Sequence, residues 1–251
     1  MQNHSYEKLG GGIEIQVSPA HTFGTDSFLL SHFAAPKRRD KAVDLCTGCG
    51  IVPFLWMREE AASPSEVWAV DVQAPAIEQV TNSVARSGLG NRFHPVLADL
   101  RKIRDHFPVG TMDLVTCNPP YKAEGTGLIS ETDSARIARH ETLCTLDDVC
   151  AAAAWLLRFG GRFCLCQLPE RLVDVLTAMR QNGLEPKRVR FVQQHPHSAP
   201  WLVLVEGKRG AKPFLQIDPP LILREGGKTS PEMERIYGMY GYIEDGNANE
   251  T

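Results

Sequence analysis

The segment DLCTGCGIVPFLW, residues 44–56, decides the fold. It closes an apolar stretch, passes through a turn that contains Gly48 and Gly50, and continues as an apolar helix pattern. A buried strand, a glycine turn and a helix are typical of the first βα unit of a Rossmann-like sheet. Glycines in such a turn let the backbone approach a ligand closely, because a Cβ atom would collide with it. The segment therefore predicts a nucleotide-type cofactor site.

The same segment contains Cys46 and Cys49 in a Cys-x-x-Cys spacing, which also occurs in zinc and redox sites. A structural zinc site needs four ligands, and the chain has no second pair of this kind. Cys164 and Cys166 are spaced Cys-x-Cys on a predicted buried strand. A redox pair at the start of the helix is an alternative, but free cysteines are usually buried packing residues. We expect both cysteines to pack in the turn, and we expect no metal.

The remaining chain alternates between strand and helix patterns. Strands are predicted at 11–17, 42–46, 67–70, 93–97, 113–117 and 160–168, and helices at 25–34, about 51–62, 75–87, 146–159 and 170–183. This alternation predicts an α/β fold, a Rossmann-like seven-stranded and mostly parallel sheet with helices on both faces. Two consecutive strand patterns, 187–193 and 201–207, predict an antiparallel hairpin at one edge.

Composition excludes several classes of protein. The chain has 251 residues, of which 43% are hydrophobic and 23% charged, as in globular proteins. It has no run of about 18 apolar residues, no apolar signal segment near its start and no disulfide spacing among its seven cysteines. These features predict a cytoplasmic protein that does not span a membrane. The net charge of −3 argues against a non-specific nucleic-acid coat but allows a local basic face.

The chemistry of the turn and of the strand ends indicates the type of cofactor. Dinucleotide-binding turns have a third glycine, whereas this chain has Val52 and Pro53 there, which favours a ligand without phosphates such as S-adenosylmethionine. Asp44, Asp71 and Asp99 close three consecutive strand patterns, whose ends line one crevice. Asp71 could accept hydrogen bonds from both ribose hydroxyls, and Asp99 could reach an adenine amino group. Acids at strand ends are also common helix caps, so this alternative stays open.

The segment NPPY, residues 118–121, follows the fourth strand of the alternating series. Its two prolines fix the backbone and remove two donors, which predicts a rigid extended loop. The Asn118 side-chain oxygen and the Pro119 carbonyl could accept the two hydrogens of a planar amine and favour a more tetrahedral nitrogen. Tyr121 could stack on a flat substrate, and Pro120 keeps the loop rigid. We predict that these four residues form the catalytic loop of an amino-methylating enzyme.

Several segments together resemble one family of enzymes. These segments are HTFGTDSFLLSHFA (21–34), DLCTGCGIVP (44–53), NPPY, RVRFVQQHPHSAPWLVLVEGKRG (188–210), DPPLIL (218–223) and IYG (236–238). They resemble class I S-adenosylmethionine-dependent methyltransferases of the Asn-Pro-Pro-Tyr type, and among these the bacterial tRNA1(Val) adenine-N6 methyltransferases. Two departures are Cys46, which replaces a glycine, and Cys49, which replaces a serine. The stretch VQQHPHSAP is also less basic than is usual in that family.

The resemblance implies a fold, a cofactor, a substrate and a set of site residues. It implies transfer of a methyl group from S-adenosylmethionine to the N6 amine of an adenosine in tRNA. Residues 1–40 would form an extension over the cofactor site, 41–243 the methyltransferase domain, and 244–251 a disordered tail. The cofactor would be held by Phe23, Gly24, Thr25, Asp44, Thr47, Gly48, Gly50, Asp71, Val72, Asp99, Leu100 and Asn118.

RNA binding would need a local basic surface on this acidic chain. Residues 184–228 contain eight lysines and arginines against four acids: Lys187, Arg188, Arg190, Lys208, Arg209, Lys212, Arg224 and Lys228 against Glu185, Glu206, Asp218 and Glu225. A solvated face with scattered charges is the alternative. The polar segment 122–141 is expected to be a mobile loop over the site, where Arg136, Arg139 and His140 could clamp RNA. We expect a monomer.

Three other functions stay open. A protein-glutamine N5-methyltransferase would share NPPY, because an amide nitrogen has the same delocalised lone pair. Such enzymes usually carry a longer N-terminal helical domain than the roughly 40 residues that precede the cofactor turn here. Another RNA or DNA amino-methyltransferase is the second alternative. A non-catalytic adaptor is the third, but it would be expected to lose Asn118 or the turn glycines.

Overall fold

The computed structural model describes residues 5–58, 63–119 and 144–239. The expected mobile loop at 122–141 and the expected disordered tail at 244–251 lie outside these residues. The division of the chain into an extension, a catalytic domain and a tail stays a prediction. No helix in the described part of the chain is long and apolar enough to cross a membrane.

The chain begins with an antiparallel hairpin and a helix. Strands β1 (Ser5–Gly10) and β2 (Ile13–Val17) pair with each other in a separate two-stranded sheet, and helix α1 (Thr25–Ala34) follows. The hairpin packs against a later helix, α3 (Ala74–Arg86), where the Ser83 hydroxyl accepts a hydrogen bond from the Gln16 backbone N–H at 2.8 Å. The hairpin thus packs on the helix layer that includes α3.

The main sheet has nine strands among the described residues. Its seven long strands are β3 (Lys41–Leu45), β4 (Glu66–Asp71), β5 (Phe93–Leu97), β6 (Met112–Cys117), β7 (Leu157–Gln167), β8 (Leu184–Gln193) and β9 (Pro200–Arg209). They are arranged in the order β8-β9-β7-β6-β3-β4-β5. All pair in parallel except β9, which runs antiparallel to both β7 and β8. The predicted α/β fold with a mostly parallel sheet and an antiparallel hairpin is confirmed.

Helices cover both faces of the sheet, and each face has its own hydrophobic cluster. One cluster contains Phe28 of α1, Phe54 of α2 (Ile51–Trp56) and Val80 of α3. The other contains Val149 of α4 (Leu146–Leu156) and Val175 of α5 (Leu172–Gln181). This double cover explains why β3, β4 and β6 have nearly continuous apolar sequences. The carboxyl ends of these parallel strands therefore form one rim.

The boundary between α4 and β7 differs from the predicted one. The sequence pattern predicted a helix to residue 159 and a strand from 160, whereas the helix ends at Leu156 and the strand begins at Leu157. Leu157 is paired with Met112 of β6, and the register shifts just beyond this pair. Phe159, the last residue of the predicted helix, is 78% exposed. Tertiary pairing at the strand start thus overrides the helical periodicity of this segment.

Short C-terminal elements were not predicted. Strands β10 (Gln216–Ile217) and β11 (Leu221–Ile222) add to the free edge of β8, and β12 (Arg224–Glu225) pairs with β13 (Lys228–Thr229). Helix α6 (Pro231–Met239) follows and buries Met233 and Ile236 in the α1 cluster. Two-residue strands show no periodicity, so the sequence could not reveal them. Helix α6 carries a polar sequence in which only isolated positions are buried.

Candidate active site

The turn between β3 and α2 is built around two glycines in the left-handed region. Gly48 has a φ of 55° and Gly50 a φ of 82°. A Cβ atom on Gly50 would lie 3.0 Å from the Phe54 ring and 3.1 Å from the Val80 side chain, so this glycine packs the helix onto the sheet. A Cβ atom on Gly48 would point into open space. Gly50 therefore serves the fold, and the free face of Gly48 is available to a ligand.

Cys46 lies in the same turn and also has a positive φ, of 55°. Its position is the one at which the resembling family carries a glycine. Cys46 packs against the second hydrophobic cluster, and Cys49 is buried in the first. Within the described residues, no group of three or more histidine, cysteine or acidic side chains is arranged to hold a metal ion.

Asp44 is buried at the end of β3 and links two strands to the turn. Its two carboxylate oxygens accept hydrogen bonds from the Thr47 hydroxyl at 2.7 Å and from the Thr116 hydroxyl of β6 at 2.6 Å. Burial raises the pKa of Asp44 to about 7, although the two hydroxyl donors oppose this shift. Asp44 therefore fixes the positions of Thr47 in the turn and Thr116 in β6. Because its pKa is about 7, the charge of its carboxyl changes with pH near neutrality.

Asp71 holds the glycine turn from the neighbouring strand. One carboxylate oxygen accepts a hydrogen bond from the Gly48 backbone N–H at 2.9 Å, and the other accepts one from the Gln73 backbone N–H, also at 2.9 Å. The side chain sits at the end of β4 in a buried position. These contacts fix the Asp71 carboxylate on the N–H side of Gly48, within the predicted cofactor turn. Hydrogen bonds from Asp71 to a ribose stay a prediction.

Asp99 has the helix-cap environment that the sequence left open as an alternative. It caps the 3-10 turn Leu100–Asp105, and its oxygens accept hydrogen bonds from the Arg101 backbone N–H and from the Arg101 guanidinium at 2.6–3.0 Å. The Arg101 guanidinium lowers the pKa of this carboxyl. The arrangement is that of a helix cap. Contact with an adenine amino group stays a prediction.

Asn118 follows β6 directly, next to the cofactor turn. Because Cys117 is paired with Leu45 of β3, Asn118 lies level with the start of that turn. Its side-chain nitrogen donates a hydrogen bond to Asp26 at 3.0 Å, and its side-chain oxygen accepts one from the Cys166 thiol at 3.1 Å. Ser27 lies 3.5 Å from the same nitrogen. The structure thus brings the predicted catalytic amide and the predicted cofactor turn together.

The N-terminal segment predicted to lie over the cofactor is anchored by aromatic packing. The Phe23 and Phe28 rings contact each other edge to face, with centroids 5.9 Å apart. Gly24 is the N-cap residue of α1, and the Thr25 hydroxyl lies 3.1 Å from the Tyr237 hydroxyl of α6. Helix α6 therefore supports the start of α1, from which Asp26 reaches Asn118.

The remaining predicted site residues occupy varied environments. Val72 is 42% exposed beside Asp71, whereas the side chain of Leu100 is buried in the second cluster. Pro119 is buried. Pro120 and Tyr121 lie outside the described residues, as do Arg136, Arg139 and His140. Their predicted roles stay predictions.

Two contributors to this site were not predicted as site residues. Asp26 and Cys166 both contact the Asn118 side chain, although they are separated from it by 92 and 48 residues. Asp26 had been placed only in the predicted helix 25–34 and in the family-like segment 21–34, and Cys166 only on a predicted buried strand. The Phe-Gly-Thr-Asp segment that carries the family resemblance was the one signal that could have drawn attention to Asp26.

Half of the predicted basic surface is engaged in contacts within the protein. Arg190 donates two hydrogen bonds to Glu232, at 2.7 and 2.8 Å, and Arg188 pairs with Asp218 at 3.0 Å. The side chains of Lys187 and Arg209 donate to backbone carbonyl groups. The other four basic side chains of this segment belong to exposed residues, namely Lys208, Lys212, Arg224 and Lys228. The basic surface is therefore smaller than the sequence count suggested.

The donor set fits a nucleoside cofactor without phosphates. The Cβ position of Gly48 is open, and its N–H donates to the Asp71 carboxylate, a group that suits hydroxyl donors and repels phosphate. The N-cap residue of helix α2 is Gly50, which has no side chain to cap the helix and is closely packed against Phe54 and Val80. The predicted cofactor, S-adenosylmethionine, has the ribose and the positive charge that such a site accommodates.

Comparisons with known proteins agree with this geometry. The model of the family described as "Methyltransferase small domain" matches residues 22–167. A tRNA1(Val) (adenine(37)-N6)-methyltransferase of Tolumonas auensis is 31% identical over 215 residues, which cover 83% of this chain and 85% of that protein. A protein of the same name from Phocaeicola vulgatus is 30% identical over 186 residues, covering 74% of this chain and 76% of that protein.

Solved structures show the same fold. A predicted O-methyltransferase from Agrobacterium tumefaciens has a TM-score of 0.68 at 18% identity, covering 86% of this chain and 97% of that one. The structure of M. jannaschii TYW2 in complex with AdoMet has a TM-score of 0.56 at 16% identity, covering 83% and 86%. These structural matches concern the fold, whereas the family match covers more than half of the sequence. The chain therefore belongs to the methyltransferase small domain family, and the prediction that it is a methyltransferase is confirmed.

Proposed function

We propose that the protein transfers the methyl group of S-adenosylmethionine to the N6 amine of an adenosine in tRNA, as the names of its relatives state for adenine 37 of tRNA1(Val). The observation that carries the proposal is the position of Asn118. Its side-chain amide lies at the end of β6, level with the start of the glycine turn after β3. An amide at this place can orient an amine toward a cofactor held by the turn.

Asn118 and Pro119 supply acceptors rather than a strong base. The nitrogen of an adenine amine is planar because its lone pair is delocalised into the ring. Hydrogen bonds from its two N–H groups to the Asn118 side-chain oxygen and the Pro119 carbonyl favour a more tetrahedral nitrogen with an available lone pair. The proton becomes acidic after methylation, so these acceptors suffice. The cofactor supplies an electrophilic methyl group on a positively charged sulfur.

The cofactor would be held by the turn and the adjacent strand ends. The backbone of Gly48 would approach it closely, and the Asp71 carboxylate would accept hydrogen bonds from the ribose hydroxyls. Asp44 would fix the turn through Thr47. The segment from Phe23 to Thr25 would lie over the bound molecule, as the family resemblance implies.

The RNA would be guided by the exposed lysines and arginines of the C-terminal segment. Lys208, Lys212, Arg224 and Lys228 are the exposed members of the predicted basic set. The target base would have to leave its stack to reach Asn118, at a cost of a few kcal/mol that contacts in the site would partly offset. Within the same proposal the protein acts in the cytoplasm. It acts as a monomer, and light scattering of the purified protein would test its mass in solution.

Methyl transfer from labelled cofactor to total tRNA tests the proposal. We expect the wild type to label tRNA and Asn118→Ala to lower the transfer rate by about 100-fold or more, because an acceptor acting in the transition state is lost. Asn91→Ala, at an exposed asparagine, is the matched control and should retain full activity. Calorimetry should give the same cofactor affinity for the wild type and Asn91→Ala, and Asn118→Ala should still bind the cofactor, more weakly to the extent that Asn118 also holds it.

The alternative substrates give different results in this assay. Labelling of a protein release factor in place of tRNA would identify a glutamine methyltransferase and overturn the substrate assignment. Absence of cofactor binding in the calorimeter would overturn the proposed reaction altogether.

A further inference from the structure

We propose that Asp26 is a positioning residue that orients the catalytic amide of Asn118. The inference rests on the proposed amino-methyl transfer and adds to it a residue that neither the predicted catalytic set nor the predicted cofactor set contains. Its basis is a chain of contacts from the first turn of α1, through the Asn118 side chain, to strand β7.

Asp26 is itself held in one orientation. One carboxylate oxygen accepts a hydrogen bond from the Ser27 backbone N–H at 2.9 Å, and the other accepts one from the Asn118 side-chain nitrogen at 3.0 Å. A carboxylate in the first turn of a helix is also stabilised by the helix dipole. The start of α1 is fixed to the body of the protein by the contact between Thr25 and Tyr237 at 3.1 Å. The acceptor facing Asn118 is therefore part of a rigid frame.

The contacts on the two ends of the Asn118 amide agree on its orientation. An ionised carboxylate can only accept hydrogen bonds, so Asp26 selects the NH₂ end of the amide. The Cys166 thiol, a weak donor, lies 3.1 Å from the oxygen at the opposite end and is compatible with this orientation. A flipped amide would place its oxygen against the carboxylate and lose the hydrogen bond to Asp26, and the thiol sulfur accepts only weakly from an NH₂ group. The carboxylate therefore decides which atom of the amide is the acceptor.

This orientation serves the proposed chemistry. An amine that is to be methylated needs acceptors, and only the oxygen end of Asn118 can provide one. Donation from the amide nitrogen to a carboxylate also polarises the amide and makes its oxygen a better acceptor. The thiol is a weak donor, which an amine N–H can share or displace. Asp26 therefore acts on the substrate through Asn118 without touching it.

A double-mutant cycle on the full-length protein tests this inference. Asp26→Asn keeps the size of the side chain but lets it donate as well as accept, so the Asn118 amide is no longer held in one orientation. We expect this variant to lower kcat for tRNA methylation by about 30-fold, with the Kd for S-adenosylmethionine unchanged within about twofold. In the Asn118→Ala background the same substitution should change single-turnover rates by less than about threefold. Asp105→Asn, at an exposed aspartate, is the control and should be neutral in both backgrounds.

A further variant separates positioning from folding. Asp26→Glu keeps the carboxylate and should recover part of the activity that Asp26→Asn loses. Equal losses from Asp26→Asn in the wild-type and Asn118→Ala backgrounds would show that Asp26 acts independently of Asn118. That result would overturn the inference while leaving the proposed function intact.

A spectroscopic readout keeps the inference testable if the wild type labels no tRNA, an outcome that would contradict the proposed function instead. The side-chain amide signal of Asn118 is identified in nitrogen-15 NMR spectra by its loss in Asn118→Ala. Asp26→Asn should shift this signal and leave that of Asn91 in place. An unchanged Asn118 signal would show that the carboxylate does not hold the amide.

Discussion

The ends of β4 and β5 carry the same kind of residue in different surroundings. Asp71 is buried and accepts hydrogen bonds from the backbone N–H groups of Gly48 and Gln73. Asp99 is more exposed than Asp71. The hydrogen bonds described for its carboxylate come from Arg101, two residues along the chain. One acid therefore joins two βα units, whereas the other caps its own turn. The position of an acid at a strand end therefore does not by itself show which element its carboxylate holds.

The largest expected effect comes from removing the acid that joins two units. We expect Asp71→Ala to weaken S-adenosylmethionine binding by about 100-fold, because it removes a charged acceptor and leaves the Gly48 N–H without it. Asp99→Ala should weaken binding by about fivefold at most, because its carboxylate is engaged with Arg101. Isothermal calorimetry on both variants measures the two affinities. Similar losses in the two variants would mean that Asp99 leaves its cap when the cofactor binds.

The next effect concerns Asp44, the acid at the end of β3. Its pKa is raised to about 7 by burial, so the folded protein keeps a proton that the unfolded chain releases near pH 4. The stabilising contribution is fully present below the unfolded pKa and is lost as pH rises through 7. Asp44→Asn lacks this titration. We expect its free energy of unfolding, relative to the wild type, to rise by about 2 kcal/mol between pH 5.5 and pH 7.5.

Urea unfolding at several pH values measures this difference. Asp113→Asn, at a partly exposed acid elsewhere in the sheet, controls for general effects of charge. A difference between Asp44→Asn and the wild type that does not vary with pH would show that the Asp44 carboxyl is ionised throughout this range.

The smallest effect separates the two glycines of the cofactor turn. Gly50→Ala should destabilise the protein by about 2 kcal/mol, because it adds both a strained φ and close contacts with Phe54 and Val80. Gly48→Ala should cost about 1 kcal/mol of stability, from strain alone, but should weaken cofactor binding more than Gly50→Ala does. Thermal unfolding and calorimetry on the same samples measure both quantities. A larger loss of cofactor affinity in Gly50→Ala would mean that Gly50, rather than Gly48, is the glycine that approaches the cofactor.

The glycine turn and the strand ends could be predicted because their signals are local. Gly48, Gly50 and the strand that ends at Leu45 lie within a few residues, and buried parallel strands have continuous apolar sequences. The antiparallel β8–β9 hairpin was predicted for the same reason. The start of β7 was not, because Leu157 and Phe159 fit a helix until strand pairing with β6 decides their conformation.

The support of Asn118 could not be predicted from the sequence. Asp26, Asn118 and Cys166 are brought together only when α1, β6 and β7 assemble, and no spacing rule connects them. The extent of the basic surface predicted for residues 184–228 was overestimated for a related reason. A count of charges does not reveal that Arg190 is paired with Glu232 or that Arg188 is paired with Asp218.

The antiparallel strand β9 determines when the main sheet can be completed during synthesis of the chain. The family match ends at residue 167, the last residue of β7, and β9 is the strand that pairs with the outer side of β7. During synthesis from the N-terminus, β7 and β8 emerge before the strand that joins them. Until residues 200–209 leave the ribosome, the apolar edge of β7 lacks its native partner and can associate with other chains. Truncation before β9 should therefore yield aggregated protein, although every predicted cofactor residue would be present.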